Sequence, residues 1–433
     1  MRQEVTPGAR APRLYYGWIV ALACLPITMV NGGVFFSFGI FFKPIAADFA
    51  WSRGQVSLVY TALLLSYAPG AILSGRVADR YGPRGVLVAT GVLMGARLVS
   101  GSQAQGLGWL LLSYSLVGLG VSATLVVPSA VVQRWFMRRR GLALGAVAGG
   151  VGFGTMVFSP LAHFLVSSYG WRSALLVLGI VLGAMVVAGA SVMLHGPEKK
   201  GLRAFGAESD STVRVALPTA PRRNMTTAQA IRTATFAKLM AINIISQLPG
   251  YFLLTHLVPY ATDRGISPGA AAGAMGLMGL FNVLGRITLG AMAERIGWMK
   301  ALSLSAFACV LTTLWLMGVS ELWMLYVYVM AYGFFWGGRL PPLMGSVGYF
   351  FGTASLAELI GITLAGSLVV GASAPFVAGL VFDRTGSYFP VLIASVVLFG
   401  AGGVFALLLK PPRSQPPAPA PSPRQAQGPT PPE

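Results

Sequence analysis

The chain has 433 residues, of which 31 are Lys or Arg and only 12 are Asp or Glu, and 55% are apolar; the mean hydropathy is +0.71. A water-soluble protein of this size cannot hide that much apolar surface in a core, and 2 cysteines cannot staple a disulfide scaffold. The chain therefore reads as a polytopic integral membrane protein, and its net charge of +19 reads as a topology signal rather than a nucleic-acid footprint.

Residues 1–14 form a polar N-terminal tail. The apolar runs that follow have the length of spanning helices, about 20 residues, not of alternating barrel strands. Twelve are predicted: 15–38, 56–77, 85–103, 107–130, 141–166 and 171–194, then 236–262, 269–292, 299–318, 322–345, 355–382 and 388–409. The first run is too long for a signal-peptide core and no small-residue cleavage site ends it, so it is expected to stay in the chain. The result is an all-α membrane protein with six-helix bundles at 15–194 and 236–409. Between them, 195–235 is a hydrophilic, cytoplasmic linker ending in a short amphipathic stretch at Met225–Thr233. Residues 410–433 are Pro-rich with no apolar face, which predicts a disordered cytoplasmic tail.

With both termini cytoplasmic, inner segments take 23 basic residues, including Arg134, Arg138, Arg139 and Arg140. Outer loops take four, Arg53, Arg172, Arg264 and Arg384, and the last four, Lys43, Arg97, Arg286 and Arg339, fall at membrane depth. That asymmetry orients a multi-pass protein of the cell membrane.

The two halves match at a constant offset of 215: Pro44 faces Pro259, Asp48 faces Asp263, Ser52 faces Ser267, Phe136 faces Phe351 and Pro160 faces Pro375. Six-helix repeats with a site between them at mid-membrane are a known transporter plan. Each half also carries Gly-x-x-x-acid-Arg-x-Gly between its second and third spans. The first copy is Gly75, Asp79, Arg80 and Gly82, with Arg84 beyond; the second is Gly290, Glu294, Arg295 and Gly297. The glycines let helices approach closely, and the acid can pair with Arg at the inner ends of neighbouring helices, a lock that holds one conformation and breaks in another. A third copy at Gly379, Asp383, Arg384 and Gly386 falls on the outer side.

No predicted span has a carboxylate near its centre, yet Lys43, Arg97 and Arg286 lie in or close to apolar runs. A cation at bilayer depth costs roughly 2.5–3.5 kcal/mol on insertion scales and needs a partner. With none expected from Asp or Glu, the missing charge is read as the cargo, a small organic anion. Arg286 is the leading candidate, with Asn282 one helical turn before it on the same face, because a guanidinium grips a carboxylate through two parallel hydrogen bonds. His256, in the neighbouring seventh span, is a candidate ligand donor and proton carrier. Lys43, desolvated at the end of the first span, is a candidate for proton coupling. Tyr332 and Trp336 in the tenth span, and Tyr114 in the fourth, are candidate cavity-lining aromatics. Arg97 and Arg339, the latter placed near the inner end of the tenth span, are assigned to packing or topology.

These residues resemble the monocarboxylate transporter family of the major facilitator superfamily. The resemblance covers nearly all twelve spans. It rests on Phe41-Phe42-Lys43, on Trp135-Phe136 with Arg138-Arg139-Arg140, Leu142-Ala143 and the glycine-rich run Gly145 to Gly154, on His256, Asn282 and Arg286, and on Gly379 to Tyr388. It implies the major facilitator fold and proton-linked movement of lactate, pyruvate and similar monocarboxylates by alternating access, with Arg286 on the carboxylate and Lys43 in proton coupling. One position departs: animal members carry Asp four residues before this Arg, and Asn282 cannot carry a proton. The oxalate/formate antiporters are the nearest alternative, but they pair this Arg with a Lys in the eleventh span, and Leu359 to Gly379 contains no Lys. A single core cation favours a monoanion over a dianion.

An enzyme is not expected, for there is no HExxH and no paired core carboxylate. Neither a metal nor another cofactor is implied, and no ATP-binding loop is present. The expected partners are the anion, H+ and the lipid bilayer, not nucleic acid; a monomer suffices.

Overall fold

The computed structural model describes residues 15–136, 140–194, 196–202, 205, 225–352 and 356–409. Most of the predicted linker, the predicted tails, and Arg138 and Arg139 lie outside the described residues. The first half contains α1 (Tyr16–Phe49), α2 (Arg53–Tyr81), α3 (Pro83–Ser102), α4 (Leu107–Trp135) and α5 (Arg140–Val192). After the short α6 (Thr227–Ile231), the second half contains α7 (Ala234–Asp263), α8 (Pro268–Ile296), α9 (Trp298–Met317), α10 (Leu322–Gly338), α11 (Leu340–Phe351), α12 (Leu356–Gly371), α13 (Ser373–Thr385) and α14 (Phe389–Leu408).

Among the described residues, 10 helical stretches are long and apolar enough to cross a membrane. With α5 counted as two and the α10–α11 pair added, they give twelve crossings. The α5 helix is two crossings joined at Gly170, whose φ of 78° turns the chain back. The tenth crossing is interrupted at Arg339, which leaves α10 and α11 each too short to span alone. The eleventh is interrupted in the same way at Ala372, between α12 and α13.

Local chemistry explains the ends. Ser52 caps α2 with a reciprocal Gln55 contact, and its repeat partner Ser267 caps α8, where Pro268 fills the first position. Gly82 and Gly297 turn the chain into α3 and α9 at φ 93° and 98°, a region that glycine enters without steric cost. The amphipathic stretch condenses to α6, capped by Thr226 and Gln229.

Within the first bundle, α1 and α3 pack on α5, and α2 on α4; in the second, α8 packs on α10, α9 on α14 and α7 on α12. The bundles meet along α5–α8, α2–α13 and α1–α7. We call the face at which α1 begins and α14 ends the terminal face, and the other the opposite face.

Candidate functional site

Arg286 lies 18 residues from the start of α8 and ten from its end, near mid-depth. Gly279, Val283 and Arg286 share one stripe of α8, directed at α5. A Cβ on Gly279 would stand 2.7 Å from the Gly152 carbonyl oxygen, and one on Gly149 would stand 3.7 Å from Val283. The Arg286 guanidinium thus crosses between the bundles, and its Nη1 donates to the Ala148 carbonyl at 3.3 Å. Its Nε is buried without a partner. None of the ion pairs among the described residues involves it.

The helix that carries it and its neighbour α10 hold further unanswered donors. Of the eight buried side-chain N or O atoms without a partner among the described residues, five belong to α8 and α10: Asn282 Nδ2, Arg286 Nε, Tyr328 OH, Tyr332 OH and Trp336 Nε1. Each is able to donate a hydrogen bond. Leaving such a group unpaired costs about 1–3 kcal/mol, so the arrangement is poised for acceptors. Tyr332 stacks between Tyr328 and Trp336 at centroid distances of 5.3 and 6.0 Å. Asn282 packs on Gly337, where a Cβ would come within 2.3 Å of the amide carbon.

The other predicted residues are distributed elsewhere. His256 does not join this set. It is fully buried about 20 Å further along α7 than Asn243 at 1.5 Å per residue. There, Tyr388 OH is 2.8 Å from its Nδ1, while its Nε2 is 3.0 Å from the Pro375 carbonyl and 3.1 Å from Ser57 Oγ. Because a carbonyl only accepts, Nε2 carries the proton and Nδ1 accepts from Tyr388. Tyr388 in turn accepts from Arg53 Nη1 at 2.6 Å, and Ser57 Oγ donates to the Arg53 carbonyl at 2.7 Å. The result is a closed circuit between the bundles around a neutral imidazole.

Lys43 requires a correction. It was expected to lack an acidic partner, but its Nζ is 2.6 Å from Asp263 Oδ1. The same carboxylate holds Arg53 at 2.7 Å through Oδ2. Both inter-bundle ion pairs among the described residues therefore share Asp263 at the opposite face. Arg339 is the second correction. The tenth crossing continues to Phe351, so Arg339 is 12 residues from its end, at the depth of Arg286 rather than near the terminal face. Its side chain is buried, 6% exposed. Tyr114 packs edge-on against Phe38 inside the first bundle, and Arg97 borders a cavity of about 320 Å³ between α3 and α4.

In the first loop motif, Asp79 pairs with Arg134 of α4 at 2.6 Å, while Arg80 sits over Tyr81. No ion pair of Arg84, Glu294 or Arg295 occurs among the described residues. In the repeat register, the counterpart of Arg134 is Tyr349, so the second copy lacks the cation that the first one uses. Gly75 and Gly290 face Val126 and Pro341 at ordinary and tight contact, respectively.

Sequence reasoning left the third motif without a role, and the structure supplies one. Asp383 accepts from the Arg53 and Gly54 amides at 2.9 and 2.8 Å, bonding to the first amides of α2 from the other bundle. Gly379 lies directly on that turn, with only 2.8 Å between its would-be Cβ and the Arg53 carbonyl. Arg53, Ser57, Asp263 and Tyr388 were not predicted as site residues; the shared motif spacing of Asp383 was the one available signal.

A family profile described as Major Facilitator Superfamily matches residues 24–353 and 239–432. Among curated proteins, the chain is 26% identical over 425 residues to "Monocarboxylate transporter 12" of Rattus norvegicus, covering 91% of this chain and 84% of that protein. It is 27% identical over 406 residues to "Monocarboxylate transporter 13" of Bos taurus, covering 92% and 91%. It is also 27% identical over 402 residues to "Monocarboxylate transporter 11" of Homo sapiens, covering 89% and 82%. Among solved structures, a bacterial homologue of the human lysosomal transporter Spinster, described as inward-facing and unoccupied, superposes with a TM-score of 0.67 at 17% identity, covering 91% of this chain and 95% of that one. The inward-facing, occupied form gives 0.68. At that identity the likeness concerns the fold alone.

Proposed function

The chain belongs to the major facilitator superfamily and is a membrane transporter, and from that premise we propose that it carries short organic carboxylates, monocarboxylates of the lactate and pyruvate type, by alternating access with H+ symport. The observation that carries this reading is Arg286: a mid-depth guanidinium between the bundles, without an acidic partner among the described residues, on a helix that together with α10 carries four further orphan donors. A carboxylate offers it two strong, charge-assisted bonds in place of one 3.3 Å bond to a backbone carbonyl. Because Ala148 belongs to the other bundle, cargo that takes over Arg286 also loosens α5 from α8. Binding is thereby coupled to rocking of the halves.

The excess of basic residues on the terminal face favours that face as cytoplasmic. The Asp263 ion pairs and the Asp383 contacts at the opposite face then support an inward-facing state. His256 and Lys43 are the proposed proton-coupling groups, both within or beside that closure. Exchange of organic anions is the second reading, favoured by Asn282, an amide that cannot carry a proton.

Reconstituted in vesicles, the protein is expected to accumulate labelled lactate under an inward-directed proton gradient, with uptake lost in Arg286→Ala. Uptake that requires an anion on the far side and ignores pH replaces symport by exchange. Full activity of Arg286→Ala overturns the site.

A further inference from the structure

The second half holds two guanidiniums at one depth. Arg339 Nη1 donates to Asn243 Oδ1 at 3.3 Å, and the Asn243 amide is itself fixed by its bond to the Thr363 carbonyl at 3.0 Å. Otherwise the guanidinium lies near the Trp336 ring, 5.8 Å from its centroid. No ion pair among the described residues involves Arg339. The helices that carry the two arginines are in backbone contact: a Cβ on Gly285 would stand 1.8 Å from the Phe334 carbonyl oxygen, and one on Gly338 would stand 2.7 Å from the Gly285 carbonyl oxygen. Trp336, whose indole N–H is an orphan donor, occupies the same turn.

A single cation at this depth calls for a monoanion, and the sequence supplied only one because Arg339 was placed near the terminal face. Two like charges in a low-dielectric site repel each other, and each loses its hydration. A monocarboxylate neutralises one of them. A cargo with two carboxylates neutralises both, giving each guanidinium a charge-assisted partner. We propose that Arg339 is a second anion-binding residue of the central site, and that the site takes a short dicarboxylate more tightly than a monocarboxylate of similar size. This rests on Arg286 as the carboxylate anchor and extends the cargo class to dianions.

The test is competition in proteoliposomes loaded with the full chain. Uptake of labelled lactate is measured against unlabelled butyrate, lactate, succinate and malate, and labelled succinate is then followed directly. Succinate or malate is expected to compete at concentrations at least tenfold below butyrate, and labelled succinate is expected to accumulate. In Arg339→Gln that tenfold preference is expected to disappear, and Arg339→Lys, which keeps a charge without the planar fork, is expected to restore part of it. Dicarboxylates that compete no better than butyrate in the wild-type protein overturn the proposal, as does a preference unchanged in Arg339→Gln. The wild-type comparison stands even where a variant fails to fold. Uptake of lactate alone leaves the carrier function intact and removes only the dianion site; no uptake of any anion removes the reading on which both depend.

Discussion

Asp263 illustrates how a repeat diverges at a single position. Its counterpart Asp48 pairs with Arg172 inside the first bundle. In the second half, the position matching Arg172 is Ser387, which carries no charge. Asp263 is thus left without a partner in its own bundle and takes Lys43 and Arg53 from the other. Lys43 is two-fifths exposed, so the pairs are discounted for solvent screening. Asp263→Asn is expected to weaken closure of the opposite face by about 1 kcal/mol, roughly fivefold in the ratio of closed to open molecules. Spin labels on Ala47 and Thr262 measure it as a shift toward longer distances, and an unchanged distribution refutes the role. Arg286 was legible as an unpaired cation because no acid lies near it in sequence or at its depth. The partner of Lys43 was not, since Asp263 is 220 positions away and only the bundle interface brings the two together.

The number and order of the crossings were readable from apolar runs, but their ends and breaks were not: α1 runs to Phe49, well beyond the predicted end at 38. The tenth crossing reads as one apolar stretch, yet the helical hydrogen-bond pattern lapses at Arg339, which keeps helical dihedrals and sets its guanidinium against Asn243 and Trp336. Glycine counts likewise announce close packing without saying where. In the first bundle, Gly32 and Gly154 hold α1 against α5, since a Cβ on either would come within 1.9 Å of a backbone carbonyl oxygen. In the second, Gly285 does the same for α8 and α10. Gly285→Ala forces those helices apart, and overpacking of this kind costs about 1–3 kcal/mol. The expected result is a lower melting temperature in detergent, together with weaker substrate protection, because Asn282 and Arg286 shift with α8. A melting temperature equal to wild type refutes the packing argument.

Across the whole molecule, the two clusters serve different steps. On the proposed reading the mid-depth donors would meet the cargo, while the opposite face is held by Asp263, by Asp383 and by the circuit through His256. The charges around that imidazole are Arg53 on α2, Lys43 on α1, Asp263 on α7 and Asp383 on α13. Protonating Nδ1 removes its bond from Tyr388 and adds a third cation beside Lys43 and Arg53. Closure is therefore expected to be stronger with the neutral ring than with the charged one. The Ala47–Thr262 label distance is expected to lengthen between pH 8 and pH 5.5, and His256→Gln, which keeps a polar side chain without titrating, is expected to flatten that response. A wild-type distance that is constant over this range counts against His256 as the proton site.

The sequence alone determined membrane residence, twelve crossings and the two-bundle plan, because bilayer thickness imposes a length on every apolar run and the repeat recurs at one offset. It also singled out Arg286, since a charge amid twenty apolar residues is conspicuous in one dimension. Which charges remain unpaired was decided only in three dimensions. Ion pairs and hydrogen-bond circuits join residues hundreds of positions apart, and depth in the bilayer depends on where a crossing actually ends. For that reason the tertiary structure took Lys43 out of the set of lone cations and brought Arg339 into it.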